Sequence, residues 1–343
     1  MQIGPVGFVF RRRGALAATI VIAATVALML YALTTGTLYF PLDRVLATLF
    51  GHGTKIEELV IIDRRLSRLS AAVLVGFALG FSGAITQSIT RNPIASPDIL
   101  GVTTGAGFFA VLVVANPGLR DLIDLPTNRA ISLSALVGGL LTTALILALS
   151  WRAGFDGLRL ILVGISVNAL ALAGIAFVLL RSELADAAVA TRWLSGSLLA
   201  ARMPEVYVLG PVVLAVVVCG LVLRKDLTAL RLGRELAPVL GSHPARTEAA
   251  ALLLAVVVVS VATAVAGPIA FVAFVAPQAA MRLFGTAGPP PIAGGLFGAL
   301  LLLVADLATQ RLPVELPVGV LTAVIGAPYL LYLMIHLMRR QSV

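Results

Sequence analysis

Uncharged apolar runs alternate with short polar or Gly/Pro-rich breaks along the whole chain. Leu16–Leu33, Val206–Leu223 and Ala249–Met281 contain no charged residue, and about 18 apolar residues are enough for a helix to span the hydrocarbon of a bilayer. The pattern predicts about ten membrane helices, near residues 15–35, 69–90, 99–115, 131–150, 158–180, 204–223, 248–269, 271–284, 292–310 and 317–338. The eighth is too short to cross at full length, and Pro277 is expected to bend it. No connection is long enough for a separate soluble domain. Residues 1–343 therefore read as one transmembrane domain of all-α, polytopic class, with its longest cytoplasmic connection at about 224–247.

Composition agrees with this reading. The chain is 59% hydrophobic and 12% charged, with a mean hydropathy of +1.05, where a soluble protein carries about 25% charged residues. Arg11–Arg13 ahead of the first apolar run also fits a signal peptide, but the run is long and no small-x-small cleavage site follows, so a retained first helix is expected. Cys219 is the only cysteine and reads as a buried, inert thiol. His52, His243 and His336 lack metal-ligand spacing.

With the amino terminus in the cytoplasm, 14 of the 25 basic residues lie inside, concentrated at Arg11–Arg13, Arg224–Arg234 and Arg339–Arg340, with Arg152 and Asp156 in the same cytoplasmic set. Arg64, Arg65 and Arg68 run against that bias. Arg65 and Arg68 at i and i+3 share a helix face. Two roles are open: snorkelling onto lipid phosphates, or pairing with carboxylates of an extracytoplasmic partner. Between the second and third spans, the link Thr90–Gly101 carries Arg91, Asn92, Pro93, Ser96, Pro97 and Asp98; its prolines end one helix and allow another to start. In the long cytoplasmic connection, Leu232, Leu236 and Leu240 recur every fourth residue. That suggests either a solvated basic loop or a pair of short helices docking into a partner's groove. Gln87, Asn168 and Asp306 are the polar residues to watch within spans. The amides are expected to bond between helices, and Asp306 to be paired or near an outer cavity. No phosphate-loop motif is present and the only lysines are Lys55 and Lys225, so any ATP-driven movement needs a separate engine.

The stretches Arg64–Ala106, Gly267–Gly285 and Ala305–Met334 resemble, in order and spacing, the FecCD family of permease subunits from ABC importers of iron-siderophores, haem and cobalamin. The resemblance implies a ten-helix, cobalamin-importer-permease-like fold that pairs with a second permease, identical or similar. It implies cytoplasmic ATPase subunits that hold ATP and Mg, with no cofactor in this chain, and an extracytoplasmic binding protein that delivers cargo. It carries binding-protein docking to Arg65 and Arg68, with Ser67 where the family has proline. A further family arginine falls at Gln310, leaving the adjacent Arg311 as candidate. ATPase coupling maps onto Gly233, Arg234, Glu235, Leu236, Leu240 and Gly241. The S-P-D-I-L-G link and Trp193–Leu198 look most like ferric-siderophore permeases, with haem and cobalamin as alternatives, in a bacterial cytoplasmic membrane and with no nucleic-acid partner. A stand-alone secondary carrier or channel, or a membrane scaffold, are the readings from other classes.

Overall fold

The computed structural model describes residues 2–3, 6–7, 12–150, 157–314 and 316–341; Arg11, Arg152 and Asp156 lie outside them. The fold is helical apart from a two-residue antiparallel pairing of β1 (Gln2–Ile3) with β2 (Val6–Gly7). Helices α1 (Arg12–Thr34), α2 (Leu42–Leu49) and α3 (Lys55–Glu57) come first. A π-helical stretch, Glu58–Leu66, then runs without a break into α4 (Ser67–Thr90). A 3-10 turn at Pro97–Leu100 leads into α5 (Val102–Ala115), α6 (Pro117–Ile123), α7 (Thr127–Ser150) and α8 (Gly157–Arg181). After α9 (Leu184–Leu194) come α10 (Met203–Val222), α11 (Arg224–Leu232) and a 3-10 turn at Pro238–Leu240. The chain closes with α12 (Pro244–Ala266), α13 (Val272–Phe284), α14 (Pro291–Thr309) and α15 (Val318–Gln341).

Each of the ten predicted positions holds a helix. Among the described residues, seven stretches are long and apolar enough to cross a membrane singly, and α5 with α6, bent by 101°, makes an eighth; α13 and Val318–Leu333 of α15 are shorter apolar helices. The protein is thus a multi-pass membrane protein whose span count of about ten is approximate. Helix α1 packs into the bundle, with Ala17 and Val21 buried against Ala280, Phe284 and Ala293. Cys219 departs from expectation. It is exposed on α10, a peripheral helix whose apolar surface faces outward, so its run of hydrophobic neighbours reflects lipid exposure and not a core.

Helix α4 is the centre of the fold, with buried residues along nearly its whole length, and it packs against α14, α12, α13 and α10. Lipid tails are as apolar as leucine, so membrane helices associate through close van der Waals contact and not through water exclusion. Gly76 and Gly80 of α4 face Gly294 and Gly298 of α14 so closely that a methyl group on any of the four would meet the opposing backbone. Gly105 of α5 and Gly138 of α7 repeat the device at a second crossing.

Overpacking a tight interface typically costs about 1–3 kcal/mol. Gly80→Ala should therefore lower the Tm of the detergent-solubilised protein by several degrees. Gly118→Ala, where no atom lies near the added methyl, should leave it unchanged; equal Tm values for the two variants would contradict the close approach.

Candidate functional site: the two ends of the α4–α14 pair

The polar chemistry gathers at the opposite ends of α4 and α14. At the end where α1 finishes and α4 begins, Arg68 Nε and Nη2 donate to Asp306 Oδ2 and Oδ1 at 2.9 and 2.8 Å. Gln310, one turn further along α14, donates its amide to Asp306 Oδ2 at 2.8 Å. Asp306 is fully buried and the Arg68 side chain is 21% exposed. A carboxylate there is tolerable only because its acceptor sites are filled by a forked guanidinium and an amide. Asp306 is thus paired, and Gln310, itself exposed, turns its amide onto the carboxylate.

Arg65 donates to the carbonyls of Leu33 (2.6 Å) and Leu38, with its guanidinium over the Phe40 ring. It ties the loop after α1 to the π-helical stretch. Arg65 and Arg68 are each only partly exposed, and each gives two guanidinium nitrogens to acceptors within the protein, so the face they share is not a free outward patch. Arg64 is the exposed member of the trio. Arg311 is also exposed; it bonds Tyr31 Oη at 2.6 Å and stacks on that ring. Ser67 sits in unbroken helix and donates to the Asp63 carbonyl at 2.6 Å, so the serine at the family's proline position leaves the helix continuous.

At the opposite end, α4 stops at Arg91, whose backbone is left-handed (φ 50°). Asn92 Oδ1 accepts from the Ile94 amide and closes a tight turn carrying Pro93; Pro97 starts the 3-10 turn. Asp98 accepts from Ser96 Oγ (3.3 Å) and Thr103 Oγ1 (2.8 Å), and its backbone carbonyl takes the Asn168 amide at 3.1 Å. Asn168 lies about 16 Å along α8 from Gly157, at 1.5 Å per residue. The link therefore dips back into the bundle, which is why α5 has only 14 residues. Gln87 bonds between helices as expected: it donates to the Phe274 carbonyl at 3.2 Å and accepts from Gln278 at 2.7 Å, both on α13. Gln278 escaped the sequence reading, although it is an amide within the uncharged run Ala249–Met281.

The connection at about 224–247 folds as α11 and the Pro238–Leu240 turn, bounded by Gly233 (φ 137°) and Gly241 (φ 77°). The leucine stripe does not lie on one helix, since α11 ends at Leu232. Even so, Leu232, Leu236 and Leu240 are 63%, 55% and 60% exposed. Beside them a groove of about 830 Å³ is lined by Val218, Leu221, Val222, Lys225, Leu232 and Leu240 among others. Glu235 is exposed, and Arg234 faces the buried Glu248 of α12 at 3.7 Å.

These features can be set beside known proteins. A model of the FecCD transport family matches residues 24–336. The chain belongs to the FecCD transport family. It is 38% identical over 332 residues to the ferric enterobactin transport system permease protein FepG of Escherichia coli (strain K12), covering 96% of this chain and 98% of that one. The iron(3+)-hydroxamate import system permease protein FhuG of Bacillus subtilis (strain 168) is 35% identical over 85% of this chain and 88% of its own. The hemin transport system permease protein HmuU of Yersinia pestis is 35% identical over 82% and 84%. A solved metal-chelate-type ABC transporter in an inward-facing conformation has the same fold, with a TM-score of 0.79 at 24% identity over 94% of this chain and 99% of that one.

Removing one partner of a buried pair leaves an uncompensated charge, at a cost of about 3–5 kcal/mol. Arg68→Met is expected to lower Tm strongly, with Arg68→Met/Asp306→Leu recovering much of the loss. Absence of that recovery would mean the two side chains do not depend on each other.

Proposed function

We propose that this chain is the permease subunit of an ATP-binding-cassette importer that carries a ferric siderophore across the cytoplasmic membrane. The observation that carries this reading is the end-to-end similarity to a permease named for ferric enterobactin. Relatives named for ferric citrate and ferric hydroxamate point to the same cargo class ahead of haem. ATPase subunits, which hold ATP and Mg, dock on the segment from Arg224 to Thr247. Its exposed leucines and adjoining groove offer the apolar contact that a solvated loop would not need. Gly233, Arg234, Glu235, Leu236, Leu240 and Gly241 form that contact. A second permease, identical or similar, completes the translocation path.

The opposite rim receives an extracytoplasmic binding protein. Arg64 and Arg311 supply exposed positive charge, while Arg65 and the partly exposed Arg68 hold the rim in shape. Nucleotide-driven movement of the docking segment shifts the bundle between inward- and outward-open states, each stabilised by whichever partner binds it better.

Uptake of iron-55-labelled ferric siderophore into vesicles holding the permease, its ATPase and its binding protein should require all three together with ATP. Filling of vesicles that lack the ATPase would reject the proposal. Leu240→Asp places a charge in the docking contact and should weaken ATPase binding about tenfold or more, as loss of a central apolar contact does. Arg64→Glu with Arg311→Glu should lower binding-protein affinity about tenfold while leaving Tm unchanged, since neither residue is buried. Unaltered affinity would remove the rim from the docking site.

A further inference from the structure

Arg231 is the last arginine of α11 and points into the protein. Its Nη2 donates to Ser88 Oγ, in the last turn of α4, at 3.2 Å and to the Pro289 carbonyl in the turn between α13 and α14. Ser88 Oγ donates to the same carbonyl at 3.3 Å, which closes a three-way contact. The guanidinium lies against Gly288, where an added methyl would come within 3.3 Å of its Cζ, Nε and Nη1 atoms. From the other side, Arg91 Nη2 donates to the Leu230 carbonyl at 3.0 Å. Two consecutive residues of α11 are thus tied to the inner ends of α4 and α14.

This is an expensive way to hold a helix in place. Among the described contacts Arg231 meets neutral oxygens, its Nε is buried without a partner, and burial pushes its guanidinium pKa below the ordinary value. An apolar side chain at such a site is commonly as stable or more so. What a planar, multi-donor group adds is directional connection: one side chain fixes the angle between three segments at once.

We infer that Arg231 is a positioning residue for transport, making the ATPase-docking segment move as one body with the α4–α14 pair. This rests on the importer reading above. Through Arg231, displacement of α11 passes to Ser88 and Pro289, and from there along two helices joined at backbone contact and clasped at their far ends by Arg68 and Asp306. Without Arg231 the ATPase still docks, because the exposed leucines are untouched, but its stroke is lost as local movement of α11.

The test uses the complete reconstituted importer and compares iron taken up with ATP hydrolysed. Arg231→Met should keep ATPase binding and hydrolysis within about twofold while uptake per ATP falls about tenfold, a typical size for a coupling free energy. Arg231→Lys, which can still donate to Pro289, should recover part of that ratio; a role in folding alone would lower uptake and hydrolysis together. Should Arg231→Met fail to assemble, Ser88→Ala decides, with an expected fall of about threefold in uptake per ATP. An unchanged ratio in the variant that assembles overturns the inference. Failure of the wild-type complex to import with ATP instead overturns the importer reading.

Discussion

The structure depends on one constraint: two helices buried among others in a membrane gain nothing by hiding apolar surface from lipid, so they must fit at the backbone. Helices α4 and α14 meet it by lining Gly76 and Gly80 up with Gly294 and Gly298. Dispersion contact falls away steeply with separation, and only glycine lets the two axes come so near. The Arg68–Asp306 pair then fixes rotation and register at one end of that contact. The buried charge is tolerated because both carboxylate oxygens accept hydrogen bonds, from Arg68 and from Gln310.

Around this core the other helices divide by exposure. Helices α12 and α14 are mostly buried against α4 and its neighbours, whereas α8, and α10 beyond its contact with α4, turn most of their surface outward. The charged side chains described gather towards the ends; within the spans lie hydroxyls such as Thr25, Ser82 and Thr143, the Gln87–Gln278 pair and the Asp98–Asn168 contact. Gln87 and Gln278 bond each other and Asn168 donates its Nδ2 to Asp98, while Asn168 Oδ1 is buried with no partner among the described contacts. The proposed function follows the same division, with its docking surfaces assigned to the rims and a largely apolar body between them.

Much of this could be read in the sequence. Apolar runs together with their polar and Gly/Pro breaks located ten helix positions, because spanning hydrocarbon leaves little other use for so many uncharged residues. Pro93 and Pro97 marked the broken link correctly. Its depth was hidden, since it follows from Asp98 meeting Asn168, a contact 70 residues apart. The fate of Arg68 was also hidden, because its partner lies 238 residues away. A pair of arginines at helical spacing reads as an outward patch until the facing carboxylate is known. Arg231 gave no sign at all, being one of several basic residues in the cluster Arg224–Arg234, and its contacts with Ser88 and Pro289 set it apart. Gln278 could have been found, as a polar side chain in a long uncharged run.

The π-helical stretch that leads into α4 has a mechanical consequence. It makes residues 55–90 one continuous helical rod of 36 residues, about 54 Å long at 1.5 Å per residue, against a hydrocarbon layer of about 30 Å. Such a rod is longer than that layer is thick. Pivoted at its middle, a tilt of roughly 10° sweeps each tip sideways by about 5 Å, close to one helical pitch. A small rocking inside the lipid is thereby geared into a full side-chain step at either surface.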